Sequence, residues 1–480
     1  MLASPAEAQE ANSRHKLGAW SDLAPWPVNP IHMVLTRDGR VMSYGGTASG
    51  AATAYYSYDI WNYQDGLAGT HLTLLNGTAT DIFCSAQVLL PQVGDILIAG
   101  GDSRTPDPDD NGIDSSTIYR TRTKTLVKGR RMNRERWYAT ATTLPNGETY
   151  IQGGDKGTDR PEIRGTDGTF RLLVDADTST LSYYYPRNWV APDGRIFGYA
   201  NRSMYYVDWR GSGSVTMLGK MATSGPGWET STEAMYAPGK ILRLGGGGTE
   251  GAASKNAITI ELNAVPPKIQ ATSRVPFGLH WGTATVAADG KVVVTGGSAG
   301  KNKLVGVNSN ALIWNPATGT WTAGAATMSG KARLYHSSAI LLPVASILVA
   351  GGGAPGPQTN LNAEIYYPPY LYDALGEPAV RPTITGTSTN LKIRGTVRLT
   401  VGDGSRIARV TLVKTGSVTH SFNMDQKFLD LRFTRSGNTI TARLPASNNL
   451  APPGYYLLFV IDRDGVPSIG KVLPMYISSS

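Results

Sequence analysis

The chain runs to 480 residues with a formal net charge of +9, only 17% charged residues and a single cysteine. Its length exceeds one ordinary compact core, and its glycine (56), proline (29), tyrosine (23) and tryptophan (10) suit many short strands joined by tight turns. One cysteine excludes an intrachain disulfide, no run reaches the roughly 18 apolar residues of a membrane helix, and no RNA-binding or helix-turn-helix signature accompanies the positive charge, so nucleic acid is not an expected partner.

The opening residues, MLASPAEAQEA, are rich in small side chains and lack an apolar signal core. They read as an N-terminal tail over 1–18, on a cytosolic chain or on a mature secreted one with an added methionine. From there short apolar runs closed by a glycine pair recur: DGRVMSYGG (38–46), GDILIAGG (94–101), NGETYIQGG (146–154), PGKILRLGG (238–246), DGKVVVTGG (289–297) and ASILVAGG (345–352). The first glycines stand at 45, 100, 153, 245, 296 and 351, which is 51–55 apart save one gap of 92. DGRIFGYAN (193–201) fills that gap as the same unit without its glycine pair, which makes seven units.

A period near 50 of turn, apolar strand and Gly-Gly is the kelch pattern of a β-propeller, one four-stranded blade per unit. SNALIWNPATGTW (309–321) reads as the outer half of a blade, and each glycine pair as a close approach between neighbouring blades. The first blade is expected to begin at about residue 19. After YYPPYLY (366–372) the repeat stops, PAVRPTITGTS (378–388) reads as a linker, and the remainder alternates apolar and polar residues between turns at GDGS, RSGN and PPGY. The expected fold is all-β: a seven-bladed kelch propeller over 19–376, then an immunoglobulin-like β-sandwich over 377–480.

The repeat places side chains. Innermost strands line a propeller's channel, so residues of equal phase lie on one ring around its axis. Seven residues before Pro91 stands Cys84, seven before Pro145 stands Tyr138, and seven before Pro343 stands His336 beside Tyr335. The same phase gives Pro30, the pair Tyr184 and Tyr185, Thr230, and His280 with Trp281. Taken singly, a lone cysteine is a small buried hydrophobe, a tyrosine closes a channel and a histidine is a hydrogen-bonded core residue. Taken together they form a polar, redox-capable ring whose nitrogen and oxygen donors suit Cu(II) better than zinc.

FCSA (83–86), RWYATA (136–141), RLYHSSAILLP (333–343) and VTHSFNMDQ (418–426) resemble, in order, the motifs of the copper radical oxidases, the galactose oxidase and glyoxal oxidase group. PGYYLLFVIDRDGVPS (453–468) is similar to the family's closing strands. The resemblance implies one copper ion, a thioether between the Cys84 sulfur and the Tyr138 ring that carries a tyrosyl radical, an axial Tyr335, and copper nitrogens from His336 and His420. His420 would come from the C-terminal domain on a hairpin inserted into the channel; the residues alone do not choose it over His15, His32 or His71. The family oxidises primary alcohols or aldehydes with O2 and releases hydrogen peroxide, with Tyr138 as radical site and Tyr335 as general base.

Departures bear on substrate. Where galactose oxidase places an indole over the crosslink, GGDKG (153–157) puts Lys156, leaving Trp281, Trp137 or Trp228 to cover it. No clear counterpart of a sugar-binding arginine is present; Arg187 is the candidate, with Trp281 and Tyr184 as further substrate contacts. The sequence also lacks that enzyme's N-terminal carbohydrate-binding domain, which places it nearer the glyoxal oxidase branch. The resemblance implies a secreted, cell-surface or periplasmic monomer whose partners are a small alcohol or aldehyde, O2 and a cell-surface polysaccharide. The competing reading is a non-catalytic kelch module for binding or adhesion.

Weaker motifs are set aside. GGGAPG (351–356) lacks the following helix of a dinucleotide site, and DPDDNG (107–112) lacks the twelfth-position glutamate of a calcium loop. KGRRMNRER (128–136) reads as a solvated loop, and NGT (76–78) and NRS (201–203) are bare sequons.

Overall fold

A computed structural model describes residues 13–103, 112–222, 230–247 and 252–477. Seven four-stranded antiparallel sheets follow one another along the first three quarters of the chain. Blade one runs from its innermost strand Pro30–Leu35 through Val41–Gly45 and Ser57–Trp61 to His71–Leu75. The innermost strands of blades two to six are Ala86–Leu89, Ala139–Thr143, Arg187–Val190, Ser231–Ala237 and Thr283–Val286. Second strands such as Ile96–Ala99 and Val292–Thr295 are buried along their whole length, which is why they read as unbroken apolar runs rather than alternating ones.

Blade seven corrects one expectation. Its chain-terminal strands are Ser337–Leu341, Ile347–Gly351 and Asn362–Tyr367, and its outer strand comes from the start of the chain, with Ala19 opposite Tyr367 and Trp20 opposite Tyr366. Residues 19–25 therefore belong to the last blade, and the first begins at Pro30. Two-residue strands carry no period to read, while pairing the two ends of the repeat ties the ring shut.

The glycine pairs sit where blades touch. A Cβ on Gly100 would lie 2.2 Å from the carbonyl oxygen of Arg136 in the next blade, and Gly101 N–H donates to that same oxygen at 2.9 Å. Gly296 and Gly297 repeat the arrangement on Arg333, at 2.4 and 2.7 Å. In the unit that lost its pair, Asn201 takes up the left-handed backbone (φ 52°), as asparagine tolerates better than most residues.

The C-terminal part packs a sheet of Ile384–Thr387, Thr396–Val401, Thr439–Arg443 and Phe433–Ser436 on a second one containing Ile407–Lys414, Gly454–Asp462 and Lys471–Tyr476. Thr396–Val401 alternates exposed and buried residues, and the two inner faces enclose a core of their own. The ten-residue strand Phe422–Leu431 serves both parts. Its second half pairs with Ile407–Lys414 in the sandwich, whereas its first half forms a hairpin with Ser417–Thr419. That hairpin pairs with blade one on one side (His32 opposite Thr419) and with blade five on the other (Glu233 opposite Phe422). It thus threads the propeller's central channel.

Candidate metal centre

The hairpin turns on two residues, His420 and Ser421, both with positive φ (47° and 62°). Such turns favour Asn-Gly, so histidine and serine there bear a backbone cost of about 1–2 kcal/mol each. The same conformation recurs around the channel: Cys84 (φ 53°), Tyr138 (70°), Tyr185 (37°), Trp281 (61°) and His336 (68°) each stand just before the innermost strand of their blade. Backbone bonds hold them blade to blade, with Tyr138 N–H on the Cys84 carbonyl (2.8 Å), Tyr185 on Tyr138 (2.8 Å) and Trp281 on Thr230 (3.1 Å).

These side chains gather on the hairpin tip. Ring centroids lie from His420 at 4.6 Å for His336, 4.7 Å for Tyr185, 5.3 Å for Tyr335 and 5.5 Å for Tyr138. Cys84 Sγ is 3.5 Å from His420 Nε2, and the hydroxyl oxygens of Tyr138 and Tyr335 are 3.2 Å apart. Cys84, His336 and His420 are fully or almost fully buried, Tyr138 nearly so, and Tyr335 is half-buried.

Hydrogen bonds set the two imidazoles' orientations. His336 Nδ1 donates to the Gly353 carbonyl at 2.8 Å, which leaves the lone pair on Nε2. Thr419 Oγ1 donates to the Ile31 carbonyl, so it accepts from His420 Nδ1 at 2.6 Å and directs the His420 Nε2 lone pair inward. Burial, then the neighbouring His336, His32 and Arg187, push His420 well down and keep it neutral. Burial pushes the Tyr138 and Tyr335 phenols far up, so a cation is needed to make either a phenolate. Two imidazole nitrogens beside two phenol oxygens match the nitrogen and oxygen donors that Cu(II) prefers.

His32, Cys84 and His420 also bring ligand atoms within 4.8 Å of one another. His32 is already engaged: Nδ1 bonds Gln87 Oε1 at 2.9 Å and Nε2 accepts the Cys84 backbone N–H at 3.1 Å, while its ring stacks on Tyr44 at 4.4 Å. We read it as a support for Cys84 rather than a ligand. Burial drives it down to about 3, consistent with a permanently neutral acceptor. The repeat phase missed it because it lies two residues inside blade one's strand, beyond Pro30, which offers no side-chain donor. His280 is tied to Thr230 Oγ1 (2.6 Å), and His71 to Asp59 (2.7 Å).

Above the centre opens a cavity of about 400 Å³, lined by Tyr183, Tyr184, Trp281, Asn302, Tyr335 and Pro355 among others. A larger one, about 930 Å³, lies at the sandwich near Tyr370 and Arg406 and holds none of the ring residues. Trp281 and Tyr184 line the smaller cavity beside Tyr335. Arg187 does not: it is 4% exposed, paired with Glu233 at 3.0 Å, bonded to the Tyr185 carbonyl at 2.7 Å and seated over Phe422. Its guanidinium braces the hairpin against blades four and five, and Arg187 is not among the described residues lining the cavity above the centre. Trp137 packs on Tyr138 (4.1 Å, 35°) and Trp281 on Tyr335 (4.7 Å), whereas Lys156 points to Glu135 at the surface. Trp228 and residues 107–111 of the calcium-like run lie outside the described residues. The basic run is not simply solvated, since Arg136 is fully buried against Glu162 (2.9 Å). Asn76 of the first sequon is buried as well.

Residues 381–475 match the model of the galactose oxidase-like Early set domain. A galactose oxidase of Gibberella zeae is 26% identical across 95% of this chain and 70% of its own length. Aldehyde oxidase GLOX1 of Arabidopsis thaliana is 27% identical across 70% of this chain and 63% of its own. A solved fungal alcohol oxidase in complex with copper superposes with a TM-score of 0.83 at 23% identity, covering 96% of this chain and all of that one, which shows a shared fold.

Proposed function

We propose that this copper-dependent oxidoreductase is a copper radical oxidase that oxidises primary alcohols or aldehydes with O2, releasing hydrogen peroxide. The observation that supports it is the gathering of Cys84, Tyr138, Tyr335, His336 and His420 on one point from three blades and a hairpin.

His336 and His420 would hold the copper through Nε2, with Tyr138 and Tyr335 as oxygen donors. Copper when bound supplies a one-electron couple and a Lewis acid. Removing two electrons and two protons from an alcohol needs a second one-electron centre, and Tyr138 supplies it. A thioether from the Cys84 sulfur to its ring donates electron density and spreads the radical. Forming that bond takes one hydrogen from the thiol and one from the ring, and O2 accepts both as peroxide. Tyr335 would take the substrate's hydroxyl proton and the Tyr138 radical the hydrogen atom from the adjacent carbon; the remaining electron would go to the one-electron couple that copper supplies, and O2 would then take up both electrons and both protons as hydrogen peroxide. Trp137, packed on Tyr138, shields that ring from water. We place the enzyme outside the cytosol, where no reducing thiol pool opposes this chemistry.

Of the two activities named among the relatives, the aldehyde and small-alcohol branch is favoured, because no arginine is among the described residues lining the cavity. The test is a peroxide-coupled panel on copper-loaded protein with methylglyoxal, glyoxal, galactose and simple primary alcohols. Peroxide from at least one of them supports the reading, and none from any substrate refutes it.

A further inference from the structure

Positive charge is concentrated on one blade. Residues 115–134, the outer half of blade two and its exit, hold Arg120, Arg122, Lys124, Lys128, Arg130, Arg131 and Arg134 and no aspartate or glutamate, against a net charge of +9 for the whole chain. The corresponding residues of blade six, 310–329, carry no charge at all, and those of blade one, 57–76, hold two aspartates and no lysine or arginine. A lysine on an edge strand ordinarily blocks strand-to-strand aggregation. That purpose does not account for seven cations on one blade when others manage without any.

Three of the seven are paired: Arg120 with Asp95 (2.8 Å), Arg131 with Asp114 (3.3 Å) and Arg134 with Asp159 (3.0 Å). Arg122, Lys124, Lys128 and Arg130 form no ion pair among the described residues, and all but the half-buried Lys124 are exposed. Blade three's outer hairpin adds Arg164 near Arg120; burial first, and then that like charge, push Arg164 down, with Asp167 opposing. Asp167 also partly offsets Arg130.

The strand order gives the cations a direction. Ala86–Leu89 leads away from Cys84, and two antiparallel steps make Ser116–Arg120 run the same way, so the turn bearing Arg122 and Lys124 lies at the far end of the blade. Thr125–Lys128 then returns along the outer edge toward Arg130. The result is a ridge spanning about 20 Å at the usual strand rise. None of its cations lines the cavity above the centre.

We propose that this ridge binds an acidic polysaccharide along its length and leaves the cavity mouth open. A linear polyanion meets such a row with several charges at once, and guanidinium forks match the paired oxygens of carboxylate or sulfate groups. Exposed Thr123 and Thr125, hydrogen-bonded to each other at 2.7 Å, place hydroxyls between the cations to meet those of the sugar. A lipid bilayer is disfavoured because residues 115–134 expose no large apolar side chain to insert, and base stacking because they expose no aromatic ring.

The test measures binding of the full chain to polygalacturonate, dextran sulfate, uncharged dextran, phosphatidylserine vesicles and duplex DNA at low and high NaCl. Both acidic polysaccharides are expected to bind, with affinity that falls as salt rises, and dextran is expected not to. Arg122→Ser/Lys124→Ser/Lys128→Ser/Arg130→Ser should lose affinity by about tenfold or more, and Lys128→Glu/Arg130→Glu should weaken binding in the same direction. Lys220→Ser/Lys268→Ser/Lys392→Ser/Arg398→Ser removes four exposed cations elsewhere and should stay within about threefold of the unsubstituted protein. Equal losses in the two fourfold variants would reduce the attraction to net charge without a site and overturn the proposal. So would equal binding of dextran, no binding of either acidic polysaccharide, or tighter binding to vesicles or DNA than to both.

Discussion

Tyr138 of blade three and Tyr335 of blade seven bring their hydroxyl oxygens to 3.2 Å, although 197 residues of chain separate them. Both phenols are raised far above their ordinary range, chiefly by burial. Without a cation, two such oxygens share one hydrogen bond. Beside a cation they become inequivalent: Tyr138 sits against Cys84 and beneath Trp137, while Tyr335 faces the cavity. Their roles follow from those surroundings.

Tyr335→Phe is expected to form the Cys84–Tyr138 bond normally and to lose turnover by about 10²–10⁴, the usual worth of a general base. Steady-state peroxide assays together with peptide mass spectrometry check this. Turnover within a few-fold of the unsubstituted enzyme would rule out Tyr335 as base.

His32→Ala leaves the Cys84 backbone N–H without its acceptor and frees the left-handed residue to relax. The expected cost is about 1–3 kcal/mol of stability, with slower formation of the crosslink at fixed copper. Urea denaturation reads the first effect, and the time course of crosslinked peptide reads the second. An unchanged time course would remove His32 from the account.

Arg187→Met breaks a fully buried ion pair with Glu233 and is expected to cost about 3–5 kcal/mol. KM of the folded fraction should stay the same, because Arg187 is not among the described residues lining the cavity above the centre. A rise in KM without loss of stability would restore it as a substrate contact.

Lys427, in the channel strand below the centre, is brought down to about 7, first by burial and then by Lys414. Its pKa is lower folded than unfolded, so between pH 7 and about 10.4 the unfolded chain binds more protons there and stability rises with pH. The penalty is complete below pH 7 and relieved above the unfolded value. Urea melts at pH 7 and 9.5 should show this gain in the unsubstituted protein and a smaller one in Lys427→Met. Equal gains would assign the pH dependence to other groups.

Much of this was legible because the repeat is a coordinate system. Counting from each Leu-Pro put Cys84, Tyr138 and His336 in one phase, and the structure gives that phase a physical meaning in a shared left-handed backbone joined blade to blade. His420 had no phase, since it arrives from the other part of the chain on a hairpin; its one local signal was a histidine and serine between two strand-like runs where a tight turn had to fall. Arg187 looked like a substrate contact because it follows a run of three tyrosines, two of which, Tyr183 and Tyr184, line the cavity, but Pro186 turns the chain into its strand and the guanidinium pairs with Glu233. Residues 19–25 were misplaced because ring closure is a property of the whole repeat and leaves no mark on two-residue strands.

The central claim is that the solitary Cys84 forms a covalent bond with Tyr138. Copper-free protein exposed to copper and then to air, digested and analysed by mass spectrometry, tests it most directly. The account predicts that the peptides containing Cys84 and Tyr138 become joined with the loss of two hydrogens, and that Tyr138→Phe abolishes the joined species. A free, alkylatable Cys84 in fully copper-loaded, oxygen-exposed protein would contradict it.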